Sequence, residues 1–155
     1  MKEITKVVVD AMGGDNAPHE IIKGAVEAVG KSDAIHVILV GKEDVINQEL
    51  SGYTYNKEQI SVVHTSEVIE TAEPPVMAIR RKKDSSIVVG LKMVKDKEAD
   101  AFVSAGSSGA VLAGGQLLVG RIKGVERPPL APLIPTDNER GCSLLIDCGA
   151  NVDAR

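Results

Sequence analysis

The amino-acid sequence predicts an α/β protein whose mainly parallel sheet is covered by helices on both faces. Short β-branched runs alternate with amphipathic stretches along the chain, the pattern of strands joined through crossover helices. Several of those runs end in a small-residue or glycine-rich turn followed by a helix start. Hydrophobic residues make up 43% of the 155 and charged residues 26%, a balance that supports a packed core rather than disorder.

The elements follow in order. Val7-Val8-Val9 is short and β-branched and reads as a buried strand ending at Asp10. Ala11 to Pro18 is a turn, with Pro18 in the first helical turn and Asp15 or Asn16 near the cap. Ile21, Ile22, Ala25, Ala28 and Val29 then fall on one helical face, and Gly30 fits the helix end. Ile35 to Val40 reads as a strand, Lys42 to Leu50 as a helix and Ile60 to His64 as a third strand. Pro74 and Pro75 precede a helix over Val76 to Arg81, and Ser85 or Ser86 caps the next one. Ala101 to Ser104 is a strand, Gly106 to Gly109 a loop and Ala110 to Val119 a helix. Leu130 to Ile134, interrupted by prolines, and Ser143 to Ile146 are the last strands. No internal repeat, low-complexity tract or linker divides the chain, so residues 1–155 are expected to form a single domain.

Composition excludes several classes. A net charge of −4 and an isoelectric point near 5.4 oppose nucleic-acid binding by bulk charge. Aromatic residues at 2%, with no Trp, oppose base stacking. No apolar run reaches the roughly 18 residues of a membrane span, and the first residues do not resemble a signal peptide, so a cytoplasmic location is expected. If Cys142 to Asp147 is a strand, Cys142 and Cys148 stand about 20 Å apart at roughly 3.3 Å per residue. Two reduced thiols are therefore expected, and no metal site.

Three loops share one design, a strand followed by a small or glycine-rich turn and a helix start: Asp10 to Asn16, Ser104 to Gly109 and Asp147 to Asn151. Loops at the carboxyl ends of parallel strands line the ligand crevice, and glycines with helix N-termini present N–H groups to an anion. Phosphate contacts are therefore expected from Asp10, Gly13, Gly14, Asp15, Asn16, Ser104, Gly106, Ser107, Ser108, Gly109, Gly149 and Asn151. Gly30-Lys31-Ser32 is no P-loop, because its upstream glycine is misplaced and it sits at a helix end. No G-x-G-x-x-G follows a strand, so nothing specific supports a dinucleotide site.

Ala105-Gly106-Ser107-Ser108-Gly109 has the spacing of a nucleophile elbow, which would make Ser107 the nucleophile of a serine hydrolase. Its triad would need a later histidine, whereas His19, His36 and His64 all precede Ser107. The other reading of Ser107 and Ser108 is helix capping, which is compatible with anion binding. Arg80-Arg81-Lys82-Lys83 is either a solvated face or a dock for an acidic partner. Arg121, Lys123, Arg127 and Arg140 form a second basic group around Pro128-Pro129.

Val9-Asp10-Ala11-Met12-Gly13-Gly14-Asp15-Asn16-Ala17-Pro18 closely resembles the opening of the acyl-carrier-protein-dependent phosphate acyltransferases of fatty acid and phospholipid synthesis. Arg80 to Ser86, Ser104-Ala105-Gly106 with Gly109-Ala110, Gly120 to Gly124 with Arg127-Pro128, and Leu145 to Asp153 resemble the same family in the same order. Where many relatives carry Asn-Thr after the first glycine of the second loop, this chain has Ser107-Ser108.

The resemblance implies a three-layer αβα fold similar to isopropylmalate dehydrogenases and phosphotransacetylases, no cofactor, and a homodimer. It implies transfer of a fatty acyl group from acyl carrier protein to inorganic phosphate, the acyl phosphate then feeding a membrane glycerol-phosphate acyltransferase. Arg80, Arg81, Lys82 and Lys83 become the carrier-docking residues, and Ser107 and Asn151 the best candidates for catalytic roles. Family members are considerably longer. The chain is thus expected to be an N-terminal part, inactive alone, of a protein located in the cytoplasm or at the membrane periphery.

Overall fold

The computed structural model describes residues 4–126, 128–137 and 141–146. Among them the chain divides into two compact units, Met1–Val119 and Gly120–Arg155. The first is built as β1 (Thr5–Asp10), α1 (His19–Lys31), β2 (Ile35–Gly41), α2 (Glu43–Leu50), β3 (Ile60–His64), α3 (Pro75–Arg81), α4 (Ser86–Lys95), β4 (Ala101–Val103) and α5 (Ser108–Gly114). Its four strands are all parallel, in the order β3-β2-β1-β4. Register runs from Thr5 opposite Ile35 to Asp10 opposite Val40, and from Val7 opposite Ala101 to Val9 opposite Val103.

Both faces of the sheet are covered, which is why its strands are apolar at successive positions rather than alternating. On one face Ile22, Ala25 and Val29 of α1, with Ile46 and Leu50 of α2, pack on Val37 and Leu39. On the other, Val89, Met93 and Val94 of α4 pack on Val8, Ile38 and Val40. A third cluster joins Ile79, Ile87, Leu91 and Ala110 across α3, α4 and α5. Ser85 caps α4 by accepting from Val88 N–H, and Ser107 caps α5 by accepting from Ala110 N–H.

Several local expectations are corrected. Pro18 occupies the cap of α1 itself, and neither Asp15 nor Asn16 caps it through a side chain. Gly30 lies inside α1, which runs on to Lys31. The helix expected over Ala110 to Val119 is α-helical only to Gly114, then widens to one π turn over Gly115–Val119. In the second unit, β5 (Leu133–Pro135) and β6 (Cys142–Leu144) pair antiparallel with each other. The first begins at Leu133, not Leu130, because Pro129 and Pro132 have no N–H to donate to a ladder. No helix among the described residues is long and apolar enough to cross a membrane.

Gly90 lets α4 lie close on the sheet: a Cβ there would stand 2.5 Å from the Phe102 ring and 3.0 Å from Val8 Cγ1. Gly90→Val should therefore destabilise the fold by about 1–3 kcal/mol. Urea denaturation checks this, and an unchanged midpoint would refute the close packing.

Candidate functional site

The strand order places a topological switch at β1. The chain leaves β1 for β2 and β3 on one side, then returns to the other side with β4. Connections from β1 and β4 therefore diverge at their carboxyl ends, the place where open α/β sheets hold a ligand crevice. Asp10 ends β1, and Ser104 follows β4.

These two side chains join the edges of the crevice. Ser104 Oγ donates to Asp10 Oδ2 at 2.8 Å and accepts from Gly106 N–H at 3.0 Å. Met12 N–H donates to Asp10 Oδ1 at 3.1 Å. Asp10 is 1% exposed, so a carboxylate taken from water keeps its hydrogen bonds entirely through the two loops. Burial without them would cost several kcal/mol.

The glycines are small because the loops touch. A Cβ on Gly13 would overlap Asp10 Oδ2, and one on Gly106 would lie 3.1 Å from Gly13 Cα. Gly14 takes φ +111°, a backbone region that L side chains rarely enter. Its missing Cβ leaves room for Ala105, 3.2 Å away. Among the described residues, the N–H groups of Gly13, Gly14, Ser107 and Ser108 have no acceptor within the protein. They are the donors such a crevice leaves for a ligand.

Of the sequence-predicted residues, Asp10, Gly13, Gly14, Ser104 and Gly106 are brought together here. Asp15 and Asn16 are exposed on the continuation of the first loop, and Ser108 and Gly109 are exposed at the start of α5. Ser107 is 4% exposed, with its hydroxyl committed to the cap. Gly149 and Asn151 lie outside the described residues.

The basic run is not one surface. Arg80, Arg81 and Lys83 are exposed. Lys82 turns inward, where its ammonium donates to Glu73 Oε1 at 2.5 Å and to the Val68 carbonyl at 2.6 Å. Lys82, then the Glu70 N–H, holds the Glu73 carboxyl below its ordinary value of 4.5. Asp84 is likewise lowered from 3.8, by the Ser66 hydroxyl and then the Ser66 N–H. Both groups hold the segment from Ser66 to Asp84 in the ionised state. Their contribution is present above those ordinary values and is lost as pH falls through the lowered ones. These pairings span nine and 18 residues, with no periodic signal to announce them. Each histidine is engaged elsewhere: His19 with Glu49, His36 with Ser61 and His64 with Glu43 N–H.

A family model described as fatty acid synthesis protein matches residues 5–155. The chain belongs to this family. It is 55% identical over 150 residues to a phosphate acyltransferase of Clostridium novyi (strain NT), a match covering 97% of this chain and 45% of that protein. It is 57% identical to one of Alkaliphilus oremlandii (strain OhILAs), with 97% and 44% covered. The chain thus spans a little under half the length of these relatives. Among solved structures, a phosphotransacetylase from Streptococcus pyogenes superposes with a TM-score of 0.66 at 16% identity, covering 97% of this chain and 49% of that one. The EutD phosphotransacetylase from Staphylococcus aureus gives 0.62 at 19% identity, covering 97% and 48%. These likenesses show a shared α/β fold with a mostly parallel sheet.

Contact between the loops separates two glycines. Gly13→Ala should cost about 1–3 kcal/mol by overpacking. Gly24→Ala, inside α1 with nothing within 4 Å of the added methyl, should be neutral or stabilise by up to about 1 kcal/mol. Paired thermal melts check the contrast; equal effects at the two positions would contradict the crevice geometry.

Proposed function

We propose that this chain supplies the phosphate-holding part of an enzyme that transfers a fatty acyl group from acyl carrier protein to inorganic phosphate, releasing free carrier and acyl phosphate. The observation that carries the reading is the pair of touching glycine loops with unpaired N–H groups at one switch point. Membership of a fatty acid synthesis family whose relatives are named phosphate acyltransferases supports it.

The chemistry needs little from the side chains. Phosphate is itself the nucleophile, so no activated serine is required. The leaving group is a thiol, far more acidic than an alcohol, which departs without a strong acid. What remains is to hold phosphate against the thioester carbonyl and to stabilise the developing oxyanion, and fixed backbone N–H groups serve both purposes. Asp10 acts here as a positioning residue: its buried side chain holds Met12 N–H and Ser104, and through them the two glycine loops. Ser107 fits the same scheme as a cap whose backbone N–H stays available. The serine-hydrolase alternative finds no support among the relatives, and its would-be nucleophile is occupied in capping α5.

The remaining parts of the proposal come from the family. They are a cytoplasmic or membrane-peripheral homodimer, no cofactor, a membrane glycerol-phosphate acyltransferase consuming the product, and Gly149 and Asn151 completing the phosphate site. Single-domain organisation of residues 1–155, as the N-terminal part of a longer protein inactive without the rest, belongs to the same reading.

A protein of the relatives' length beginning with these residues should incorporate radiolabelled inorganic phosphate into acyl phosphate when supplied with acyl carrier thioester. Label that never enters an acyl phosphate would overturn the assignment.

A further inference from the structure

The outward face of α3 has a composition that the basic run alone does not describe. At about 100° per residue, Val76, Arg80, Met77 and Arg81 fall in that order within an arc of about 140°. Ala78 and Ile79 lie on the opposite side and are 4% and 1% exposed. Val76 and Met77 are 46% and 43% exposed, although both are apolar. Neither arginine forms an ion pair among the described residues. Lys82 falls on the inner side, spent on Glu73 and Val68. The face thus presents two available guanidinium groups, two apolar side chains and no acid.

The helix that carries this face packs by its inner side against the helix that opens at the candidate site. Pro75, at the start of α3, packs against Gly109 so closely that a Cβ there would lie 2.8 Å from Pro75 Cγ. Gly109 is the end of the second glycine loop and lies in the first turn of α5. Ala78 and Ile79 share a buried cluster with Ala110 of α5. A body seated on the outward face of α3 is therefore separated from the helix that opens at the crevice by the width of α3.

We infer that Val76, Met77, Arg80 and Arg81 form the docking surface for an acidic amphipathic helix of the protein that delivers the acyl group, an inference that rests on the carrier-dependent reading above. The guanidinium groups match carboxylates in a bidentate fork. Val76 and Met77 supply the apolar centre, and Met and Arg are enriched in interface cores. Complementary charge also steers encounter between an acidic carrier and a protein that is itself net negative, by offering one local cationic face. A lipid surface is matched less well. Recognition of anionic membranes draws on clusters of about 4–8 basic residues, and this arc holds two.

The test uses a protein of the relatives' length beginning with this chain, and compares two acyl donors with phosphate as acceptor: the carrier-borne thioester and the same acyl group on pantetheine. Arg80→Glu with Arg81→Glu should lower the ratio of kcat/KM for the carrier donor to that for the pantetheine donor by about tenfold or more. Val76→Ser with Met77→Ser should lower it in the same direction. The loss from the arginine pair should shrink as salt is raised, because exposed charges are screened. An unchanged ratio in both variants overturns the docking surface. So does an unchanged ratio accompanied by lost binding to phosphatidylglycerol vesicles, which would assign the face to a membrane. A parent protein that makes acyl phosphate from neither donor refutes the enzymatic reading beneath the inference instead.

Discussion

The hydrogen bond between Ser104 and Asp10 is the constraint on which the site depends. Strands β1 and β4 are ladder neighbours, with Val9 opposite Val103, so the sheet already sets Asp10 beside Ser104, and beyond those ends the two connections diverge. Just past those ends, the Ser104–Asp10 bond ties the two loops to each other across 94 residues of sequence. From that bond the rest follows sterically. Gly13 has no Cβ because Asp10 Oδ2 stands there, and Gly106 approaches Gly13 because Ser104 holds its N–H.

The arrangement turns a cost into a geometry. A carboxylate at 1% exposure loses its water and must be satisfied by the protein. The donors that satisfy it are a hydroxyl and a backbone N–H from the very loops that must be fixed. Among the described residues, the next N–H groups along each loop, those of Gly13, Gly14, Ser107 and Ser108, have no acceptor. The chemistry proposed for the chain asks for preorganised dipoles and not for a nucleophilic side chain, and the commitment of Ser107 to capping is consistent with that.

Much of this was legible in the sequence, for identifiable reasons. Alternation of β-branched runs with 3.6-period stretches marked Ile35 to Gly41, Glu43 to Leu50 and Ile60 to His64 closely, because burial on both sheet faces imposes that pattern. A cap at Ser85 or Ser86, and capping by Ser107 and Ser108 as the alternative to a Ser107 nucleophile, were readable because a hydroxyl before an apolar helix favours that use. The loops at Asp10 and Ser104 could be singled out by glycine content, but not their direct bond, since sequence carries no measure of which strands become neighbours. The roles within Arg80 to Lys83 were hidden similarly. Four like charges look uniform along a chain, and only the turn of α3 sends Lys82 inward to Glu73 while Arg80 and Arg81 face water. Prolines delayed β5 to Leu133, a boundary decided by missing N–H donors that hydrophobicity alone does not register.

The most direct measurement of this account is a double-mutant cycle on stability with Asp10→Ala, Ser104→Ala and the pair. If the Ser104–Asp10 bond holds the two loops together, the single substitutions are non-additive, with a coupling of about 0.5–3 kcal/mol. Additive effects, with no coupling beyond experimental error, would show that the crevice is held by something other than this bond and would contradict the account.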